Sequence, residues 1–163
     1  MDRLWSPWRL QYVSGKTAPK TGCVFCDTSR PPADDSLVVF EGATSYVVLN
    51  LYPYNNGHLM VVPNRHIDTL TGLEPGELQE VMQLTQRAEA VLRQAYSPQG
   101  INVGINLGQA AGAGIHEHLH VHVVPRWGGD TNFITVIGET RVLPEDLATT
   151  ARRLRPLFDR LAG

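Results

Sequence analysis

Apolar residues first fall into short runs and then into two longer helical stripes. Residues 37–40 and 46–49 are short, β-branched runs split by Glu41-Gly42-Ala43-Thr44, the pattern of a hairpin. A turn segment, Tyr52 to Gly57, leads into a third run at 59–62, which Pro63 is expected to stop. Over residues 76–96, Leu78, Val81, Met82, Leu84, Ala88, Val91, Leu92 and Ala95 recur at helical spacing behind Pro75. That predicts one long helix with the whole stripe in the core, closed by Ser97-Pro98. Residues 101–107 alternate as a strand, residues 118–124 as another that Pro125 ends, and residues 133–137 are a candidate edge strand. Residues 144–161 predict a second helix, opened by Pro144-Glu145-Asp146 and amphipathic through Leu147, Leu154, Leu157 and Leu161. Residues 1–22 and 27–36 read as irregular. The expected class is α+β: an antiparallel sheet of about five strands with one long helix and a C-terminal helix.

Composition narrows the function. The 163 residues are 42% hydrophobic, which suits a globular domain rather than a disordered chain. A net charge of -2 gives no basic surface, so neither a nucleic acid polymer nor a membrane is an expected partner through bulk charge. No apolar run is long enough to span a bilayer, and the first residues lack the features of a signal peptide. The expected location is cytoplasmic. In a reducing compartment the pair Cys23-Val-Phe-Cys26 suggests metal or redox chemistry more than a structural disulfide.

The densest chemistry lies in His116-Glu117-His118-Leu119-His120-Val121-His122, which holds four of the six histidines. On a strand, alternate side chains share a face, so His118, His120 and His122 point one way and Leu119, Val121 and Val123 the other, into a core. Buried imidazoles need hydrogen-bond partners, so such a row is costly unless it works. A phosphorus-directed nucleophile and a three-histidine metal site are both open readings. His116 reads as a polar residue at the strand entrance. Trp5, Trp8, Trp127, Tyr52 and Tyr54 could stack on a base or fill a core, and Arg126 could face phosphate or solvent.

The run from His118 to Val124 resembles the His-φ-His-φ-His-φ-φ signature of the histidine triad superfamily, where φ is apolar. The block from Asn50 to His58 with the following Leu-Met-Val-Val-Pro63, and the loop from Asn106 through Gly114, are similar to other motifs of that family. The segment Leu4-Trp5-Ser6-Pro7-Trp8-Arg9 and the run from His118 through Pro125-Arg126-Trp127-Gly128-Gly129-Asp130-Thr131-Asn132-Phe133 resemble its bacterial diadenosine tetraphosphate phosphorylase branch. The resemblance implies a single HIT domain over residues 1–163, with an N-terminal extension at 1–22 and a C-terminal helical tail at 138–163. It implies His120 as the nucleophile, with His122 at the phosphate and leaving-group oxygens, His118 first in the triad and His58 as buttress. Asn50 would sit near the ribose and Asn106 near the phosphate.

The same resemblance implies a structural Zn2+ held by Cys23, Cys26, His66 and His118, and a homodimer that joins two sheets. The expected reaction is cleavage of diadenosine tetraphosphate by phosphate to ATP and ADP, through a covalent nucleotidyl-histidine. Two alternatives stay open: a hydrolase or nucleoside phosphoramidase that uses water, and a nucleotide-binding or regulatory protein with little turnover.

Elementary chemistry fits these roles. A neutral imidazole is a competent nucleophile when one ring nitrogen holds its proton on an acceptor and the other faces phosphorus. The chain has no Walker-type lysine loop. The segment from Gly108 through Gly112, Ala113 and Gly114 is instead the candidate cradle, its backbone N–H groups expected to surround an anion.

Overall fold

The β-branched runs before the long helix build one half of a sheet. In the computed structural model, which describes residues 22–26, 36–131, 137 and 143–161, β1 (Val38–Glu41) pairs antiparallel with β2 (Ser45–Leu49), and β2 with β3 (Leu59–Pro63). The chain then crosses through the helix α1 (Pro75–Tyr96) to β4 (Gly100–Ile105) and returns as β5 (Val121–Arg126). β5 inserts between β3 and β4, giving the order β1-β2-β3-β5-β4 with antiparallel pairing throughout. The last element is α2 (Leu147–Arg160). The expected α+β architecture is therefore present.

Local signals set the helix ends. Glu74 and Glu77 form a reciprocal capping box around Pro75, and Ser97 closes α1 in the left-handed region at φ 46. The Asp146 side chain accepts the Thr149 N–H at the start of α2. Pro156 lies inside α2 on an exposed face, where buried Leu154, Leu157 and Phe158 hold the helix to the core despite the missing donor.

Both helices bury one face of the sheet. Val47, Leu49, Leu59, Val61, Val121 and Val123 meet Val81, Leu84, Ala88, Val91 and Leu92 of α1 and Leu154 and Phe158 of α2. Each of these Val, Leu and Phe side chains contributes roughly 1.5–3 kcal/mol by burial. The opposite face carries Tyr46, Met60 and Val62, against which Phe25 packs.

Four expectations need correction. Leu78 and Met82 are not core: they are 42% and 52% exposed, on the flank of α1 turned from the sheet. Pro63 is the last residue of β3 rather than a stop before it. The ladder of β5 starts at Val121, not residue 118, and runs through Pro125 to Arg126. Pro125 is tolerated because β5 pairs there only with Ile101 of β4, the β3 ladder having ended at Val123. Residues 133–136 of the candidate edge strand, and Trp5 and Trp8, lie outside the described residues.

Candidate active site and metal cluster

The triad begins just before the β5 ladder. His118 and Leu119 find partners at the end of β3 and in the turn after it: the His118 Nε2–H donates to the Pro63 carbonyl at 2.9 Å, and the Leu119 N–H to the Ile67 carbonyl at 2.6 Å. A carbonyl can only accept, so the proton of His118 sits on Nε2 and its Nδ1 keeps a lone pair. The same logic applies to His120. Its Nδ1–H donates to the backbone carbonyl of His118 at 2.8 Å, which leaves the Nε2 lone pair for an electrophile. The ring is 5% exposed and lies 5.1 Å from Phe25 and 4.8 Å from His122, centroid to centroid.

A second chain of hydrogen bonds fixes His122. The Tyr54 backbone N–H donates to His58 Nδ1 at 3.0 Å, and Asn50 Nδ2 lies 3.4 Å from the same atom. His58 Nδ1 is therefore the acceptor, and its Nε2–H donates to His122 Nδ1 at 2.9 Å. His122 in turn must carry its proton on Nε2. One triad ring thus offers a lone pair and its neighbour an N–H donor, with the ring of Tyr54 against both His58 and His122.

This reading needs neutral rings, and their surroundings supply that. Burial, with the nearby His122 and His120, pushes His58 down to about 3. Burial and His120 push His122 down to about 4, and burial lowers His118 and His120 as well. A consequence for stability follows from the sign. The unfolded chain takes up protons below about pH 6.5 that the folded rings refuse, so stability is complete above that pH and falls toward pH 4. Urea unfolding is expected to lose a few kcal/mol between pH 7 and pH 4.5. His58→Gln should flatten that slope, and a midpoint independent of pH in the wild type would contradict the neutral-ring assignment.

Cys23, Cys26, His66 and His118 converge on the other side of His118. Their ligating atoms all lie within 4.8 Å of one another. Cys26 Sγ is 3.2 Å from His66 Nδ1, and both sulfurs are 3.4 Å from His118 Nδ1. Tetrahedral zinc, with Zn–S of about 2.3 Å and Zn–N of about 2.0 Å, sets sulfur and nitrogen roughly 3.5 Å apart. The set also meets the outer requirement of such sites, since the His118 Nε2–H is held by the Pro63 carbonyl. Burial and the Cys23 sulfur push the Cys26 thiol up, a penalty that a cation between the sulfurs removes. These four residues therefore suit a zinc ion.

The remaining expected residues divide. Asn50 touches the site through His58, and its Oδ1 accepts the Tyr52 N–H at 2.9 Å. Asn106 follows β4, half-buried. In the Gly108–Gly114 loop, Gly108 and Gly112 take positive φ of 80 and 84. The Ala111 and Gly112 amides donate back to Gly108 and Gln109 within that turn, so they are not free to surround an anion as expected. Ala113 is buried and Gly114 exposed. His116 is exposed beside Glu117, 3.9 Å away. Arg126 pairs with Asp130 rather than with solvent alone. Sequence reasoning missed Phe25, which packs on both His118 and His120, and the Tyr46 hydroxyl that anchors the Phe25 carbonyl at 2.9 Å. The position of Phe25 between Cys23 and Cys26 was the available signal.

Comparison with known proteins places this geometry. The family model of the HIT domain matches residues 32–129. The chain is 47% identical over 161 residues to the AP-4-A phosphorylase of Mycobacterium tuberculosis, covering 94% of this chain and 83% of that one. It is 30% identical over 131 residues to a bis(5'-adenosyl)-triphosphatase of Dictyostelium discoideum, covering 76% and 87%. Among solved structures, a Zn-bound histidine triad family protein of Mycobacterium smegmatis superposes with a TM-score of 0.63 at 30% identity, covering 77% of this chain and 86% of that one.

Proposed function

Since the chain belongs to the HIT domain family, we propose that it is an enzyme that cleaves dinucleoside polyphosphates, diadenosine tetraphosphate above all, by transferring a nucleotidyl group to phosphate. The observation that carries the mechanism is the His120 Nδ1–H bond to the His118 carbonyl, which keeps the proton on Nδ1 and leaves Nε2 with its lone pair. His120 Nε2 attacks the α-phosphorus. The bond from phosphorus to the bridging oxygen breaks and ATP leaves with the bonding pair. His122 Nε2–H stabilises the charge that develops on that oxygen. Phosphate then attacks the nucleotidyl-histidine, forming ADP and freeing the ring. His58 orients His122, Asn50 contacts the ribose, and Asn106 with Gly108, Gly112, Ala113 and Gly114 lines the phosphate side.

Cys23, Cys26, His66 and His118 would hold a structural zinc, which would fix the Cys23–Cys26 turn and the His118 ring. β4 lies at the end of the sheet order, with Val103 exposed, which supports a homodimer that joins two sheets through this edge. No helix of the described residues is long and apolar enough to cross a membrane. A reduced Cys pair serving as ligands supports a cytoplasmic location.

The similarity to the Dictyostelium triphosphatase favours a second reading, the same intermediate resolved by water. Incubation with diadenosine tetraphosphate separates the two. ADP and ATP formed only when phosphate is present is the expected result. AMP and ATP at a rate indifferent to phosphate would make the chain a hydrolase, and binding without any product would make it a nucleotide-binding protein.

A further inference from the structure

The donor state of His122 depends on where the Tyr54 N–H points. The turn that carries this amide joins β2 to β3 and is closed at its base by the Asn50 N–H to the His58 carbonyl at 2.9 Å. Its tip is held as well from the far end of β5. Arg126, the last residue of the strand, forms a two-pronged pair with Asp130, Nε–Oδ2 at 2.6 Å and Nη2–Oδ1 at 2.9 Å. Arg126 Nη1 also donates to Asn102 of β4 at 2.9 Å, and the Trp127 N–H to Asp130 Oδ2 at 3.2 Å. The carboxylate so fixed accepts from Asn55 Nδ2 at 2.7 Å, and Asn55 Nδ2 reaches the Pro125 carbonyl at 3.0 Å. The Asn55 carbonyl accepts the His58 N–H at 3.2 Å.

We propose that Asp130 and Asn55 are positioning residues for the leaving-group step: the Arg126–Asp130–Asn55 clamp holds the 54–58 turn so that the Tyr54 N–H selects the His58 tautomer and, through it, the His122 Nε2–H donor. If Asn55 is released, the Tyr54 amide moves relative to His58, and His58 Nδ1 is left with only the longer Asn50 Nδ2 contact at 3.4 Å to keep it unprotonated. Either ring of the His58–His122 pair can then hold the shared proton in the reverse sense, which turns His122 Nε2 into a second lone pair facing the departing oxygen. Attack by His120 is untouched, because its own acceptor is the His118 carbonyl, on a different hydrogen-bond chain. The clamp therefore acts on bond breaking and not on bond making.

This inference rests on the nucleotidyl-transfer reading, and its test has one arm that does not. Asn55→Ala and Asp130→Asn would be compared with wild type on two AMP esters, a phenyl ester with a strongly basic leaving oxygen and a dinitrophenyl ester with a weakly basic one. Both variants are expected to lose at least tenfold in kcat on the phenyl ester and less than threefold on the dinitrophenyl ester. In parallel, the nitrogen NMR shifts of the His58 and His122 rings, read on zinc-loaded protein without substrate, should show single tautomers in wild type and mixed ones in both variants. Equal losses on the two esters, or rings that keep single tautomers in the variants, overturn the proposal. If wild type cleaves neither ester, the functional reading falls, and the tautomer arm alone decides the clamp. A variant that unfolds is replaced by Asn55→Asp, which removes the amide donor and is expected to give the same two signatures.

Discussion

His120→Ala is expected to lower kcat on diadenosine tetraphosphate on the order of ten-thousandfold to a millionfold, with the protein still folded and still able to bind nucleotide. The size follows from what the ring supplies. Without it no covalent intermediate forms, and the remaining donors can only orient a direct attack by phosphate or water. The fold should survive, because the sheet's core face is built by Val121 and Val123 while His120 packs on the other side against Phe25 and His122. Rapid quenching of wild type with labelled substrate should trap an acid-labile adduct on this residue, absent from the variant. A variant turning over within tenfold of wild type would remove His120 from the role of nucleophile.

Cys23→Ser is expected to take bound zinc from about one per chain to near none and to lower the melting temperature by roughly 10 °C or more. Three ligands from distant segments then face each other without the ion that joins them. Cys23 and Cys26 lie near one end of the described chain, His66 in the turn after β3, and His118 ahead of β5. Activity should fall too, though less than for His120→Ala, because Phe25 sits in the same turn and packs on the nucleophile's ring. Elemental analysis with calorimetry measures both effects. A full zinc complement in the variant, or none in freshly purified wild type, would remove the metal from this account.

Much of this site was readable in the residues. Period-two alternation placed His120 and His122 opposite Val121 and Val123, because strand side chains have only two directions to take. The metal set was readable only through resemblance: sequence spacing joins Cys23 to Cys26 but says nothing of His66, which arrives by the fold of the turn after β3. The early start expected for β5 failed for a tertiary reason, since residues 118 and 119 bond to Pro63 and Ile67 rather than to a ladder. Leu78 and Met82 failed differently. Helical periodicity marks a stripe but not its width, and α1 buries the narrower band through Val81, Leu84, Ala88 and Val91. Asn55 and Asp130 each fall in a segment similar to the family's motifs, but the bond between them was illegible because the two residues are 75 positions apart and only the fold brings them together.

The acceptor that orients His120 belongs to the peptide backbone. Genetic change can remove any side chain but not that oxygen, so every substitution at position 118 inherits the anchor for its neighbour two residues on. Variation at 118 can therefore trade one metal ligand for another, or abandon the metal altogether, while the nucleophile keeps its proton on the same atom so long as the main chain holds its path. The proton's place on His120 is thus independent of which side chain stands at 118, so drift at the metal lowers activity without by itself extinguishing it.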